Sequence, residues 1–261
     1  MVVRQGKNFE EGYTPITSID DKNNKTLMDF GILVLKQGQT YTDNELKEKA
    51  YLLLKGEVIF EWEGNRVEAK RSSVFDENPC CLHVPPEVEI KTTCLSSEAE
   101  ICITRSYNDK NFPSRYYSQE ECRVELGGKG LMNELSLRTI RTIFDITNAP
   151  DANLVLGEVV HRPGRWSSYP PHHHPQPEIY LYKFLPEQGF GFSQIGDDAY
   201  IVRNNDTSII LEGDHAQVCA PGYAMYYIWA IRNLENNPFN ERIYSEEHRW
   251  LLDKNAKIWE G

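Results

Sequence analysis

No stretch of this chain approaches the roughly 20 consecutive apolar residues that a membrane-spanning helix requires. The opening residues, MVVRQGKNFEEGYTPITSIDDKNN, lack the apolar centre of a signal peptide, so a cytoplasmic location with no membrane partner is the expectation. Paired cysteines are missing as well. None of Cys80, Cys81, Cys94, Cys102, Cys122 and Cys219 forms a C-x-x-C pair, a pattern that fits reduced and mostly buried thiols. Positive charge is in deficit. A formal net charge of -11 makes the surface repel nucleic acid and anionic lipid. No helix-turn-helix pattern or basic face offers a route to DNA. A small anionic ligand remains compatible, provided local arginines or lysines reverse the field.

Helix signals are also scarce. TDNELKEKA (42 to 50) and SEEHRWLLDKN (245 to 255) are the best candidates, and both are short. Short apolar runs bounded by turn residues fill the rest, which predicts a mainly β chain. At 261 residues, with 40% hydrophobic and 26% charged residues, the chain is globular and long enough for one large domain or two small ones.

The two halves echo each other. GILVLKQG (31 to 38) and GEVVHRPG (157 to 164) match in length, alternation and terminal glycines. Each is followed by a polar stretch and an aromatic-aliphatic strand, KAYLLLKGEV in one and EIYLYKF in the other. Two similar β-barrels in tandem are the simplest account. They divide near GGKGLMNELS (127 to 136), giving an N-terminal barrel over 1–130 and a C-terminal one over 131–261. Between its matching strands the first copy carries QTYTDNELKEK, without histidine. The second carries WSSYPPHHHPQPEIYLY (166 to 182). The first barrel is therefore expected to be metal-free and structural, with His83 a partly buried histidine beside a turn, and the second to be functional.

In a strand, residues i and i+2 share a face, so His172 and His174 would converge while His173 points away. Glu178 follows the Pro175-Gln176-Pro177 bend, and His215, after a Gly-containing turn, could close the site from a neighbouring strand. Three imidazoles and a carboxylate suit one first-row divalent ion with open positions. Zinc or manganese heads the expected identities, with iron or nickel as alternatives.

H-x-H, a Glu a few residues on and a distal His form a pattern that resembles the metal signature of the cupin superfamily. More narrowly, PGRWSSYPPHHH, EIYLYKF, APGYAMYYIWA and SVFDENPCCLHVPPEVEI are similar to the 5-deoxy-glucuronate isomerases of inositol catabolism, through most of the chain. That resemblance implies a bicupin of two jelly-roll-like barrels with a few short helices. It implies a single metal site in the second barrel, with His172, His174, Glu178 and His215 as ligands. It also implies an aldose-ketose isomerase, an intramolecular oxidoreductase, converting 5-deoxy-D-glucuronate to 2-deoxy-5-keto-D-gluconate. The spacer before Glu178 is shorter than is usual in that family, and EIYLYKFLPEQGFGFSQIGDDAYIVRNNDTSII also resembles the 4-deoxy-5-keto-uronate isomerases of pectin breakdown. That sister reaction is the alternative. A cupin dioxygenase using iron at the same ligands and a non-catalytic sugar-binding bicupin are the more distant ones.

For such an isomerase, a base must move a proton between neighbouring carbons while the ion acts as a Lewis acid. Glu178, Tyr182, Lys183 and Tyr227 are the candidate proton-handling residues. A sugar-acid substrate needs a cation for its carboxylate, and Arg162, Arg165 and Arg203 are the candidates. Arg138 and Arg141 are read as serving the junction between barrels. A homo-oligomer is expected from the sheet faces and edges that tandem cupins leave to be covered.

Overall fold

Strands dominate the computed structural model, which describes residues 1–259, and they gather into three hydrogen-bonded sheets. The first half builds a nine-stranded sheet that includes the long strand Glu48–Trp62. The early part of this long strand pairs with Glu98–Ser106 and Cys81–Val84, and its later part with Asn65–Arg71 and Ile90–Cys94. It therefore has to bend from one layer into the other. The bend coincides with a register shift between Leu53 and Lys55 and with Gly56 at φ +106°. A Cβ there would lie 2.5 Å from the Glu98 carbonyl oxygen, so only glycine fits. Leu33, Tyr51, Val58, Phe60 and Ile101 fill the barrel that results.

In the second half a seven-stranded sheet faces a five-stranded one. The first runs in the order Val2–Val3, Thr207–Ile210, Glu178–Leu185, Ala224–Arg232, Leu154–His161, Arg138–Phe144, Arg123–Gly127. The second runs Asp198–Arg203, Phe190–Ile195, His215–Cys219, Trp166–His173, Ile243–Tyr244. Two segments from before residue 130, Val2–Val3 and Arg123–Gly127, are thus hydrogen-bonded into the second half's sheet.

Strand alternation sorts side chains between two cores. Along Glu178–Leu185, Tyr180, Tyr182 and Phe184 enter the interior of the second barrel, while Ile179 and Leu181 face the first barrel. Along Ala224–Arg232, Tyr227, Trp229 and Ile231 point inwards, while Tyr226, Ile228 and Ala230 join the interface. That interface is a single apolar core, with Phe30, Ile32 and Leu52 contributed by the first half. At its edge lies a buried charge cluster. Arg71 grips Glu158 with both terminal nitrogens at 3.0 and 2.6 Å, and Arg141 reaches the same carboxylate at 3.0 Å. The Tyr226 hydroxyl donates to it at 2.8 Å.

Of the two expected helices, Glu246–Leu252 forms as a short 3-10 helix. The other does not form: TDNELKEKA joins the strands Thr40–Asp43 and Glu48–Trp62. Its polar side chains are claimed by distant partners, which overrides a local helical preference. Asp43 accepts from Tyr51 at 2.6 Å and Arg105 at 2.7 Å, and Lys47 donates to Asp29 at 2.8 Å. Glu48 receives His83 at 2.8 Å and the Asn153 and Leu154 amides. His83 is also stacked on Phe144, ring centroids 4.2 Å apart.

Candidate metal centre

The site is assembled where the two sheets of the second barrel meet. His172, next to last in the strand Trp166–His173, pairs in register with His215, which opens His215–Cys219 on the five-stranded sheet. Glu178 opens Glu178–Leu185 on the facing sheet, and its parity with Tyr180 and Tyr182 sends its carboxylate inwards. His172, His174 and His215 are buried, and one donor atom from each lies within 4.8 Å of the others. Glu178 Oε2 approaches His174 Nε2 and His215 Nε2 at 3.2 Å each. His173 turns away, 45% exposed and paired with Asp214 at 2.6 Å.

The spacing of the motif also fixes how the rings present themselves. His172 Nδ1 meets the Ser168 carbonyl at 3.1 Å, and His174 Nδ1 meets the Gln176 carbonyl at 2.9 Å. Both contacts place the proton on Nδ1 and leave Nε2 as a lone-pair donor, the usual outer support of a metal-ligating histidine. The short Pro175-Gln176-Pro177 bend is what brings the Gln176 carbonyl to His174. Ser168 adopts φ +52°, a conformation unfavourable for a non-glycine residue, next to an irregularity in strand register between Ser167 and His172.

The electrostatics agree with a ligand role. Burial and the neighbouring His215 push His172 far below the ordinary imidazole value, so it is neutral at pH 7. Burial alone would push the Glu178 carboxyl up, but its contacts with His174 and His215 outweigh this and hold it well below the usual carboxylate range. His215 Nδ1 is buried without a partner, and its Nε2 has only the Glu178 carboxylate at 3.2 Å. An imidazole so poorly answered is costly in a protein interior unless something binds it. Three buried imidazoles and an ionised carboxylate fit a first-row divalent ion.

Around the trio lie Ser167, Ser168, Tyr180, Tyr227, Arg138 and Arg242, walled by Trp229, Ile231 and Phe239. Trp229 lies across Gly157, where a Cβ would come within 2.2 Å of the indole, so the glycine that opens the sequence echo serves this wall. A chain of hydroxyls runs through the site. Ser167 Oγ and the Tyr227 hydroxyl are 2.5 Å apart, Tyr227 and Ser168 Oγ 3.3 Å, and Ser168 Oγ and the Tyr180 hydroxyl 3.2 Å. Burial raises both tyrosine pKa values, so both remain protonated. The inner cavity is small, ≈ 20 Å³, but it shares Ile140, Trp229, Phe239 and Arg242 with an outer groove of ≈ 590 Å³. The groove falls within the ~300–1,000 Å³ typical of ligand sites.

Several sequence expectations need correction. Tyr227 lines the cavity, but Tyr182 does not: its hydroxyl is spent on Ser208 at 2.9 Å and Gln217 at 2.7 Å, deeper in the barrel. Lys183 has the opposite strand parity to Glu178 and leaves the barrel altogether, pairing with Glu100 and, at 2.7 Å, Asn205. Arg162 and Arg203 are exposed, Arg165 is half-buried, and none of the three lines the site. Arg141 does serve the junction. Arg138, three residues earlier on the same strand, faces the site instead. Tyr180 was legible, two residues past Glu178 and on its face. Arg242 carried no local signal, because it comes from the segment that crosses the barrel after the last long strand.

Two packed β-barrels in one chain, the second enclosing a histidine trio and a carboxylate between its sheets, define a bicupin. Residues 1–251 match the KduI/IolB family, and the chain belongs to it. The 5-deoxy-glucuronate isomerase of Geobacillus kaustophilus (strain HTA426) is 28% identical over 244 residues, covering 86% of this chain and 85% of its own length. That of Bacillus subtilis (strain 168) is 26% identical over 250 residues, covering 88% and 89%. Among solved structures, an IolB-like protein from Salmonella typhimurium LT2 superposes with a TM-score of 0.82 at 22% identity, over 94% of this chain and 97% of that one. Oxalate decarboxylase from Bacillus subtilis gives 0.65 at 10% identity, over 94% and 78%. At those identities the structural likeness is one of fold. Family membership makes the chain an isomerase, an intramolecular oxidoreductase. No helix of the described residues is long and apolar enough to cross a membrane.

Proposed function

We propose that this chain interconverts the aldose and ketose forms of a deoxy-uronate, taking 5-deoxy-D-glucuronate to 2-deoxy-5-keto-D-gluconate in myo-inositol catabolism. The observation that carries the chemistry is the buried trio His172, His174 and His215 closed by Glu178. The choice of substrate rests on the names of the relatives and on the WSSYPPHHH motif. His172, His174, Glu178 and His215 would hold one divalent ion, with zinc or manganese ahead of iron or nickel. When bound, such an ion supplies Lewis-acid polarisation of a carbonyl and the hydroxyl beside it.

The remaining work falls to the chain's own side chains. Glu178 is the one carboxylate lining the inner cavity, and its Oε1 is the atom to which we assign the proton leaving carbon. Tyr227 and Tyr180, kept neutral by burial, would donate to substrate oxygens as charge develops there. Ser167 and Ser168 link the two phenols and can pass a proton between them. Trp229, Ile231 and Phe239 would keep bulk water from the reacting carbons.

Metal-loaded protein is incubated with 5-deoxy-D-glucuronate and, separately, with 4-deoxy-5-keto-uronate, and the products are followed by NMR. Conversion of the first is expected. Conversion of the second alone would overturn the substrate, and binding without conversion of either would overturn the reaction. With active protein, Tyr227→Phe is expected to lower kcat about 10²-fold, the effect of one lost acid–base partner, at unchanged metal content.

A further inference from the structure

We propose that Arg242, backed by Arg138, forms the subsite for the carboxylate of the sugar acid; only the sugar's identity rests on the isomerase reading above. The two arginines line the same inner cavity as His172, His174 and Glu178, and Arg242 also lines the outer groove. It therefore stands at the boundary between the place where a carbonyl would react and an adjoining groove with room for the rest of a sugar.

Neither arginine has an acidic partner among the described residues. Arg138 donates Nη1 to the Ser136 carbonyl at 2.9 Å, and its Nε is buried with no partner at all. It is 93% buried in an acidic protein, where a pairing carboxylate would be the ordinary arrangement. Arg242 forms no ion pair, and its charge acts unfavourably on the buried Arg138. The nearby carboxylates are Glu178, taken up by His174 and His215, and Glu125 and Glu241 of the groove, neither of which forms an ion pair among the described residues. The groove's other arginine, Arg123, is already held by Asp145. A buried Arg138 without a counter-charge, beside an Arg242 that forms no ion pair, leaves an anion position open at the reaction site, and a guanidinium fork matches a carboxylate in geometry and charge.

The fold keeps Arg138 in place deliberately. Its side chain lies across Gly127 of the edge strand Arg123–Gly127, where a Cβ would fall 2.9 Å from Nε and 2.7 Å from Ile140 Cδ1. Arg162, Arg165 and Arg203 are nearer the histidine motif in sequence, yet none reaches this cavity.

The test is calorimetric titration of D-glucuronate and of D-glucose into the metal-loaded protein, so that the charge of one group is the variable and turnover is not needed. Wild type should bind glucuronate more tightly than glucose. Arg242→Gln should weaken glucuronate at least about tenfold, as expected for a lost charge-assisted pair, and leave glucose unchanged. Arg242→Lys should restore part of the loss, and Gly127→Ala should reproduce it more weakly by displacing Arg138. No preference in wild type, or equal losses for both sugars in Arg242→Gln, would overturn the proposal. Should the protein fail to isomerise either uronate while the charge-selective loss persists, the reaction falls and the subsite stands. Isomerisation with no charge-selective loss gives the reverse.

Discussion

Ring nitrogens decide the chemistry of this site. Backbone carbonyls of Ser168 and Gln176 accept hydrogen bonds from Nδ1–H of His172 and His174, which turns the Nε2 atoms towards a ligand, while His215 Nδ1 has no partner and its Nε2 meets only the Glu178 carboxylate. Nearby, His161 is a different kind of buried histidine. It packs on Tyr227, its Nε2 is unpartnered, and burial depresses its pKa to about 3. A folded-state value below the unfolded ~6.5 means that the unfolded chain takes up the proton first as the pH falls. The stability linked to His161 is thus fully present above pH 6.5 and declines below it, by about 1.4 kcal/mol at pH 5.5. Comparing melting between pH 7.5 and 5.5, wild type should lose more stability than His161→Gln by about that amount; equal losses would contradict a buried neutral His161.

Strand parity governs what each element offers the site. It explains why Tyr182 and Lys183 could not both face the cavity, and it assigns Arg138 and Arg141 to opposite sides of one strand. Sequence alternation made the β class, the two-copy plan and the convergence of His172 with His174 legible. It could not reveal depth along a strand, which separates Tyr182 from Tyr180. Nor could it reveal Arg242, which reaches the site because a later segment crosses the barrel. TDNELKEKA misled for a related reason: Asp43, Lys47 and Glu48 look like solvated helix polarity until Arg105, Asp29 and His83 are brought to them. At the bend of Glu48–Trp62, Gly56→Ala combines an unfavourable φ with a backbone clash, and chemical denaturation should show a loss of about 2–3 kcal/mol. A neutral substitution would mean that the strand can bend elsewhere.

At the scale of the whole molecule, the two barrels share an apolar core and a buried charge cluster, so neither half is independent of the other. Glu158 serves both Arg71 from the first half and Arg141 from the second. Glu158→Gln leaves two buried guanidinium groups without a counter-charge and should cost about 3–5 kcal/mol in denaturant unfolding. A loss below about 1 kcal/mol would show that the cluster is solvated or replaceable. The same packing fixes the seven-stranded sheet behind Glu178 while the five-stranded sheet delivers the histidines, so the site depends on the register of both.

The central claim is that His172, His174, Glu178 and His215 form one metal site and His173 does not belong to it. Metal content per chain, measured by mass spectrometry after loading and dialysis, tests it most directly. Wild type and His173→Ala should each retain close to one divalent ion, and His174→Ala and His215→Ala should retain almost none. Equal loss in all three variants, or full retention in His215→Ala, would contradict the account.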